Sequence, residues 1–172
     1  LNHHQVTEPN KEKNMANYVP YEFKKDLLKG NFNFPSDTIY LALYTSVSAY
    51  PVASATVYSS ATAGQVAASG NYVTDGRTCG TASVANAGSQ PQSIYLNFAG
   101  DGSGANTITW STATITAAYG VMYQRQGSGG TAANQRLVAV LDFGGSKSSS
   151  SGDFKVVFPT VSTGADAILS IT

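Results

Sequence analysis

WSTATITAAYGVMYQR (110–125), RLVAVLDF (136–143), DFKVVFP (153–159) and AILSIT (167–172) decide the fold class of this chain. Each is rich in β-branched and aromatic residues with a period near two, the pattern of a strand lying on a core. Between the second and third lies GGSKSSSSG (144–152), which offers nothing to bury and reads as a loop joining a hairpin. In the long first run, Ile115, Ala117, Tyr119, Val121 and Tyr123 are expected on one face. Thr116, Ala118, Gly120 and Met122 fall on the other, small enough for close approach by a neighbour.

Working outward, DTIYLALYT (37–45) alternates Ile39, Leu41 and Leu43 against Tyr40, Ala42 and Tyr44, so both of its faces are apolar. SIYLNF (93–98) places Ile94, Leu96 and Phe98 together. Weaker strands are expected at Tyr72–Val73 and Cys79–Val84, joined by the Asp75–Gly76 turn signal. The Ala/Ser/Val/Tyr-rich stretch 46–70 reads as a long loop carrying a short strand, and AGDGSGAN (99–106) as a flexible turn. Further strands are expected at 107–110, 113–125, 136–143, 153–158 and 166–172. Only PYEFKKDLLKG (20–30) reads as a helix. Pro20 suits its first turn, Phe23, Leu27 and Leu28 form its apolar stripe, and Gly30 caps its end. About three turns cannot stand alone, so that stripe is expected to pack on the sheet.

About nine strands and one short helix imply an all-β fold. The expected form is an antiparallel β-sandwich with jelly-roll-like or Greek-key connections. Residues 1–19 are read as an extended N-terminal arm and 20–172 as a single domain. LNHHQVTEPNKEKNMAN (1–17) is polar and without periodicity. Met15 has the look of an ordinary start, so residues 1–14 are either a genuine arm or an upstream extension.

The chain has 172 residues and zero formal net charge, which gives no global field toward nucleic acid or an anionic membrane. Nine of its twenty Asp, Glu, Lys and Arg residues fall within the first 30 positions, leaving eleven for the other 142. An ordinary domain is about a quarter charged. A body so poor in charge gains from associating with copies of itself or with a larger surface. Cys79 is the sole cysteine, so no intrachain disulfide and no cysteine-based metal site can form. No run of 18 apolar residues is present, and the opening residues lack the apolar segment of a signal peptide.

Catalytic chemistry finds few candidates, and no catalytic, cofactor or metal residue is assigned. His3 and His4 are the only histidines and have no third ligand partner. Asp142 and Asp153 flank the expected hairpin and could approach as a carboxylate pair, but turn chemistry explains both more simply. Asp101 is the one acid in GDGSGAN, where calcium needs several oxygen ligands. GSGG (127–130) lacks the Lys-Ser/Thr of a phosphate cradle. Cys79 reads as a small packed side chain. The ten tyrosines and Trp110 read as core and interface residues rather than as a sugar-stacking surface.

MANYVPYEFKKDLLKGNFNFPSDTIYLALYTS (15–46) resembles the opening of a family of small structural proteins of tailed bacteriophages. VAASGNYVTDGRT (66–78) is similar to that family's Val-Ser-Gly-x-Gly-Tyr-x-x-Gly-Gly segment, with Asp75 where Gly is usual. ITWSTATITAAYGVMYQR (108–125) resembles its Trp-containing strand pair. LVAVLDFGGSKSSSSGDFKVVFP (137–159) is similar to its Asp-Phe-Gly…Gly-Asp-Phe hairpin, and ILSIT (168–172) to its ending. The resemblance spans nearly all of residues 15–172 except 47–64. It implies a non-enzymatic virion protein at the particle surface, assembled in the host cytoplasm. Decoration or cementing of the capsid shell is the leading expectation, and a tail-fibre or head-fibre module binding a host glycan is the alternative. The partners it implies are the major capsid protein, other virion proteins and further copies of this chain, a trimer by analogy; neither nucleic acid nor membrane is among them. Tyr18, Tyr21, Phe23 and Leu27 are the expected anchors of the arm. Exposed aromatics on loops 46–62 or 99–106 would mark the glycan-binding alternative.

Overall fold

The computed structural model describes residues 17–48, 50, 57–58, 63–87, 90–126, 135–159 and 167–171. Among the described residues, one helix, α1 (Tyr21–Leu28), precedes seven strands. These are β1 (Ile39–Tyr44), β2 (Arg77–Thr78), β3 (Ala82–Ala87), β4 (Gln90–Phe98), β5 (Thr107–Gln124), β6 (Leu137–Val157) and β7 (Leu169–Ile171). They form two antiparallel sheets, one in the order β2-β1-β5-β6 and one in the order β3-β4-β7.

The alternation read in β1 holds at every position. Ile39, Leu41 and Leu43 enter the main core, while Ala42 and Tyr44 enter a second cluster on the opposite face, where Tyr40 packs against them. The main core gathers Leu96 and Phe98 of β4, Ile108 and Trp110 of β5, Val138, Phe154 and Val156 of β6, and Phe23 of α1. Each large side chain buried there contributes about 2 kcal/mol.

Helix α1 starts after Pro20, whose φ of −58° and ψ of 148° lead into it. It ends where the Lys29, Gly30 and Asn31 N–H groups donate to the Lys25, Leu27 and Asp26 carbonyls, with Gly30 at φ +71°. The expected cap is therefore present. Leu28 departs from expectation: it is 89% exposed, and Phe23 and Leu27 alone carry the buried stripe. Just after the helix, Phe32 and Phe34 fold back on Phe23, with ring centroids 5.0 and 6.3 Å away. Arg136 Nε, 3.3 Å from Asp26 Oδ2, ties the helix to the start of β6.

The expected hairpin at 136–159 is absent. Leu137–Val157 is one strand that follows β5 from Tyr123 to Thr107. Two features let GGSKSSSSG remain a strand. Between the pairs Ala117↔Lys147 and Tyr119↔Asp142, β5 supplies Ala118 alone while β6 supplies Phe143–Ser146, a wide bulge. Gly144 and Gly145, at φ +68° and +106°, make that bulge possible. Beyond it, hydroxyls replace apolar packing. Thr116 Oγ1 and Ser148 Oγ lie 2.9 Å apart, Ser149 Oγ donates to the Ala113 carbonyl at 2.8 Å, and the Ser151 N–H donates to Thr114 Oγ1 at 3.0 Å. A second break falls at Thr112 and Ser151, both at positive φ. The expected pairs 107–110/113–125 and 136–143/153–158 are thus two continuous, bent strands.

The bulge also corrects the face assignment in β5. Ile115 and Ala117 lie in the main core, but Tyr119, Val121 and Tyr123 lie in the second cluster, and Met122 returns to the main core. One irregular residue exchanges the two faces of a strand. Gly120 then sits where an added Cβ would lie 2.7 Å from Leu41 Cδ1 and 3.1 Å from the Phe143 ring.

The Asp75–Gly76 turn forms, with the Gly76 N–H donating to the Val73 carbonyl at 2.8 Å. It does not join a hairpin, because Arg77–Thr78 pairs with β1 and Tyr72 makes only an isolated bridge with Ser69. From the ambiguous 46–70 stretch, Val47, Tyr50 and Tyr58 lie buried in the second cluster.

Candidate interaction surfaces

The second cluster is built from tyrosine, and its hydroxyls are organised around Asp75. The Tyr58 and Tyr123 rings stack at 3.7 Å. Tyr58 Oη donates to Asp75 Oδ1 at 3.3 Å and accepts from Gln65 Nε2 at 2.7 Å, while Tyr123 Oη donates to the Asp75 carbonyl at 2.8 Å. Tyr44 Oη and Tyr50 Oη are 3.0 Å apart. Burial, reinforced by neighbouring tyrosines and Asp75, raises the Tyr58 hydroxyl far above its ordinary range, and burial raises Tyr123 as well. Tyr72 lies on the main-core side, with its ring edge-on to Trp110 and its Oη accepting the Leu43 N–H at 2.9 Å. Burial pushes its hydroxyl up to about 12. The expected core role of the aromatics is what the chain displays: among the tyrosines only Tyr21 is mostly exposed. Trp110 is fully buried with its Nε1 unpartnered.

Asp101 has no free oxygen for calcium. Its carboxylate takes hydrogen bonds from Arg77 Nη1 at 2.8 Å, the Ser103 N–H at 3.0 Å and the Thr109 N–H at 3.2 Å. Burial opposes ionisation, but the bonds from Ser103, Arg77 and Thr109 outweigh it and bring its pKa down to about 2. Arg77 also donates to the Thr109 carbonyl at 2.7 Å, so the ion pair pins the 99–106 loop to β2 and β5. The partnership of Arg77 with Asp101 has no signal in their spacing along the chain.

Asp142 and Asp153 make separate local bonds. Asp142 Oδ1 accepts the Gly144 N–H at 2.8 Å inside the bulge, and Asp153 Oδ2 lies 3.4 Å from Lys155 Nζ. Cys79 is wholly buried, its thiol raised by that burial. Among the described residues no group of three or more His, Cys, Asp and Glu could hold a metal ion. His3, His4 and residues 127–130 lie outside the described residues.

The four expected anchors fall in different settings. Phe23 is buried in the main core and Leu27 packs against it. Tyr18 is half-buried on β6, where its N–H and carbonyl each bond Val140 at 2.9 Å and its hydroxyl donates to the Tyr50 carbonyl. Tyr21 is 54% exposed, with Lys24 Nζ 5.7 Å from its ring centroid.

Among the described residues, β2 and β6 are the outer strands of one sheet and β3 and β7 those of the other. There β3 pairs only with β4 and carries no charge in ASVANA. Beside it on the β4 face that leads into the core, Val84 and Ile94 are 52% and 47% exposed. The outer strand β6 borders two cavities, one of about 460 Å³ between Phe143, Lys147, Asp153, Lys155 and Val157, and another of about 180 Å³ reaching Asn17 and Leu141. No family model, curated protein or solved structure matches the chain.

Proposed function

We propose that this chain is a non-enzymatic structural protein of a tailed bacteriophage particle, decorating or cementing the capsid shell through self-association and an N-terminal arm. The resemblance at residues 15–46, 66–78, 108–125 and 137–159 motivates the particle. The observation that carries an assembly role is the β3 edge. Monomeric proteins guard such edges with Lys, Pro or bulges. Here Ala82–Ala87 is uncharged, its one register shift falls at its end between Asn86 and Ala87, and Val84 and Ile94 extend the apolar face beyond the body. The finer architecture we propose is a sandwich of the two sheets with jelly-roll-like or Greek-key connections. In it the β3 side meets a sister copy, and the shell lies against a charge-poor face.

The glycan-binding alternative draws no support from the aromatics. Tyr50 and Tyr58, the only aromatic residues in 46–62, are buried, and 99–106 contains none. The test is the copy number of this chain in purified particles, by quantitative mass spectrometry against the major shell protein. Near parity is the expected result. A few copies per particle would move the chain to a tail or fibre, and absence from particles would overturn the reading. Val84→Lys places a charge on the open edge and is expected to abolish self-association in light scattering without lowering Tm.

A further inference from the structure

We infer that β3 pairs with β3 of a second copy about a two-fold axis at Val84, joining the two β3-β4-β7 sheets into one. The inference deepens the self-association in the proposed function and rests on it, but not on the particle. Among the described outer strands, β3 is the one fitted to such pairing. β2 and β7 are two and three residues long. β6 is interrupted by its bulge, and Tyr18 already takes both backbone bonds of Val140. β3 runs against β4 in unbroken register from Ala82↔Phe98 to Asn86↔Ile94.

The pairing with β4 fixes which backbone groups face away from it. The Ala99 N–H donates to the Thr81 carbonyl at 3.0 Å, so Thr81 turns its backbone toward β4. In an antiparallel ladder the N–H and C=O of one residue point to the same side, and successive residues alternate. Ser83 and Ala85 therefore also face β4, while Ala82, Val84 and Asn86 present their N–H and C=O outward. These outward residues are placed symmetrically about Val84. Antiparallel pairing with Val84 opposite Val84 matches Ala82 with Asn86 at both ends and satisfies every outward group. An axis at Ser83 or Ala85 leaves Asn86 or Ala82 of each copy beyond the ladder.

The side chains agree with that axis. Val84 stands opposite Leu96, a member of the main core. Pairing at Val84 makes one apolar row, Leu96–Val84–Val84–Leu96, across the junction and covers a valine that is 52% exposed in the single chain. The strand is uncharged, so no like charges meet when it faces itself. An isologous contact of this kind uses up the edge and closes at two copies. A trimer, expected by analogy, cannot be built from this edge.

The experiment mixes Ser83→Cys and Ala85→Cys forms of the full chain under mild oxidation. Both positions are exposed, and the native Cys79 is wholly buried. With the axis at Val84, residue 83 of one copy lies directly opposite residue 85 of the other, with Cα atoms about 4.5 Å apart. Like positions lie on the diagonal, about 7 to 8 Å apart. The mixture is therefore expected to give about tenfold more disulfide-linked dimer than either variant alone. A dominant link in Ser83→Cys alone puts the axis at Ser83, and one in Ala85→Cys alone puts it at Ala85; either overturns the inference. Light scattering of the unaltered chain separates the two readings. A mass above that of the single 17.9 kDa chain without the mixed disulfide overturns the axis and leaves self-association standing. A single-chain mass removes both. Hydrogen exchange supplies a check without substitution: the Val84 N–H is expected to lose protection on dilution, and exchange independent of concentration overturns the inference.

Discussion

β1 and β6 both pair with β5, and they hold its two sides by different physics. β1 is six residues, IYLALY, with both faces covered by apolar clusters. β6 is 21 residues long, and its middle, from Gly144 to Ser151, is largely solvent-facing and held by hydroxyl bonds and glycine conformations. A strand between two cores is fixed by burial, which dominates folding energetics. A stretch outside any core, such as the middle of β6, is fixed by pairing alone, where each hydrogen bond nets only about 1 kcal/mol. The first tolerates almost no change, and the second is expected to tolerate many.

The largest expected contrast is between two glycines at similar φ. A Cβ at Gly76, φ +76°, would lie 1.8 Å from the Leu41 carbonyl oxygen, so Gly76→Ala must push β2 off β1. Its expected cost is about 4 kcal/mol or more. Gly144, φ +68°, has nothing within 4 Å, so Gly144→Ala costs only the backbone strain, about 1 kcal/mol. Urea denaturation of both variants measures the difference, and equal losses would mean that β1 is no more constrained than the bulge.

The two strands differ as much in legibility as in stability. The two faces of β1 could be read because alternation with large apolar side chains has one physical meaning, though the strand runs Ile39–Tyr44 rather than 37–45. The centre of β6 could not, because serine and glycine serve a loop and a solvent-facing strand equally well. What decides between them is the partner strand, a long-range fact: Ser148 is a strand residue because Thr116 lies opposite. The same limit explains the face error in β5. Ala118 looks like any other alternating residue, and only the four residues of β6 opposite it turn Tyr119, Val121 and Tyr123 to the other side. Of the candidate surfaces, the charge-poor body and the polar N-terminal segment were visible in composition. The edges and the cavities were not, since an edge is defined by the strand that fails to arrive.

Alkaline titration sharpens the contrast from the side of the buried tyrosines. Tyr72 is raised to about 12 by burial, and Tyr58 and Tyr123 are raised too. A tyrosine near 10 when unfolded stabilises the fold fully below pH 10, and that contribution is lost as pH rises through the folded value. Tyr72 alone is expected to withdraw about 2 kcal/mol between pH 10 and 12. Tyrosinate absorbance should therefore rise together with loss of near-ultraviolet circular dichroism. Ionisation of most tyrosines in a chain that keeps its tertiary signal would show the second cluster to be open to solvent.

At the acid end the effect is smaller. Asp101 is depressed to about 2, so its contribution is present above pH 4 and disappears as pH falls toward 2. Arg77 is partly exposed, and screening holds the figure to about 1 kcal/mol. Asp101→Asn should flatten the stability profile across that window. A profile that keeps its slope would assign the acid sensitivity to another carboxylate.

The smallest effect is the one that tests the hydroxyl ladder directly. Thr116 and Ser148 face each other across the outer ribbon, with their side-chain oxygens 2.9 Å apart and both residues exposed. A cross-strand pair of this kind is worth about 0.5 kcal/mol. Thr116→Ala, Ser148→Ala and the double variant form a cycle that isolates that coupling from the propensity loss of each single change. A coupling of that size means the serine run is specified by cross-strand bonds, so Ser→Ala changes along 148–151 should add up to a measurable loss. Zero coupling means that backbone pairing alone keeps β6 in line, and the serines are there because a solvent-facing stretch needs small polar side chains. In that case Ser148→Thr, with its higher strand propensity, should stabilise the ribbon rather than weaken it.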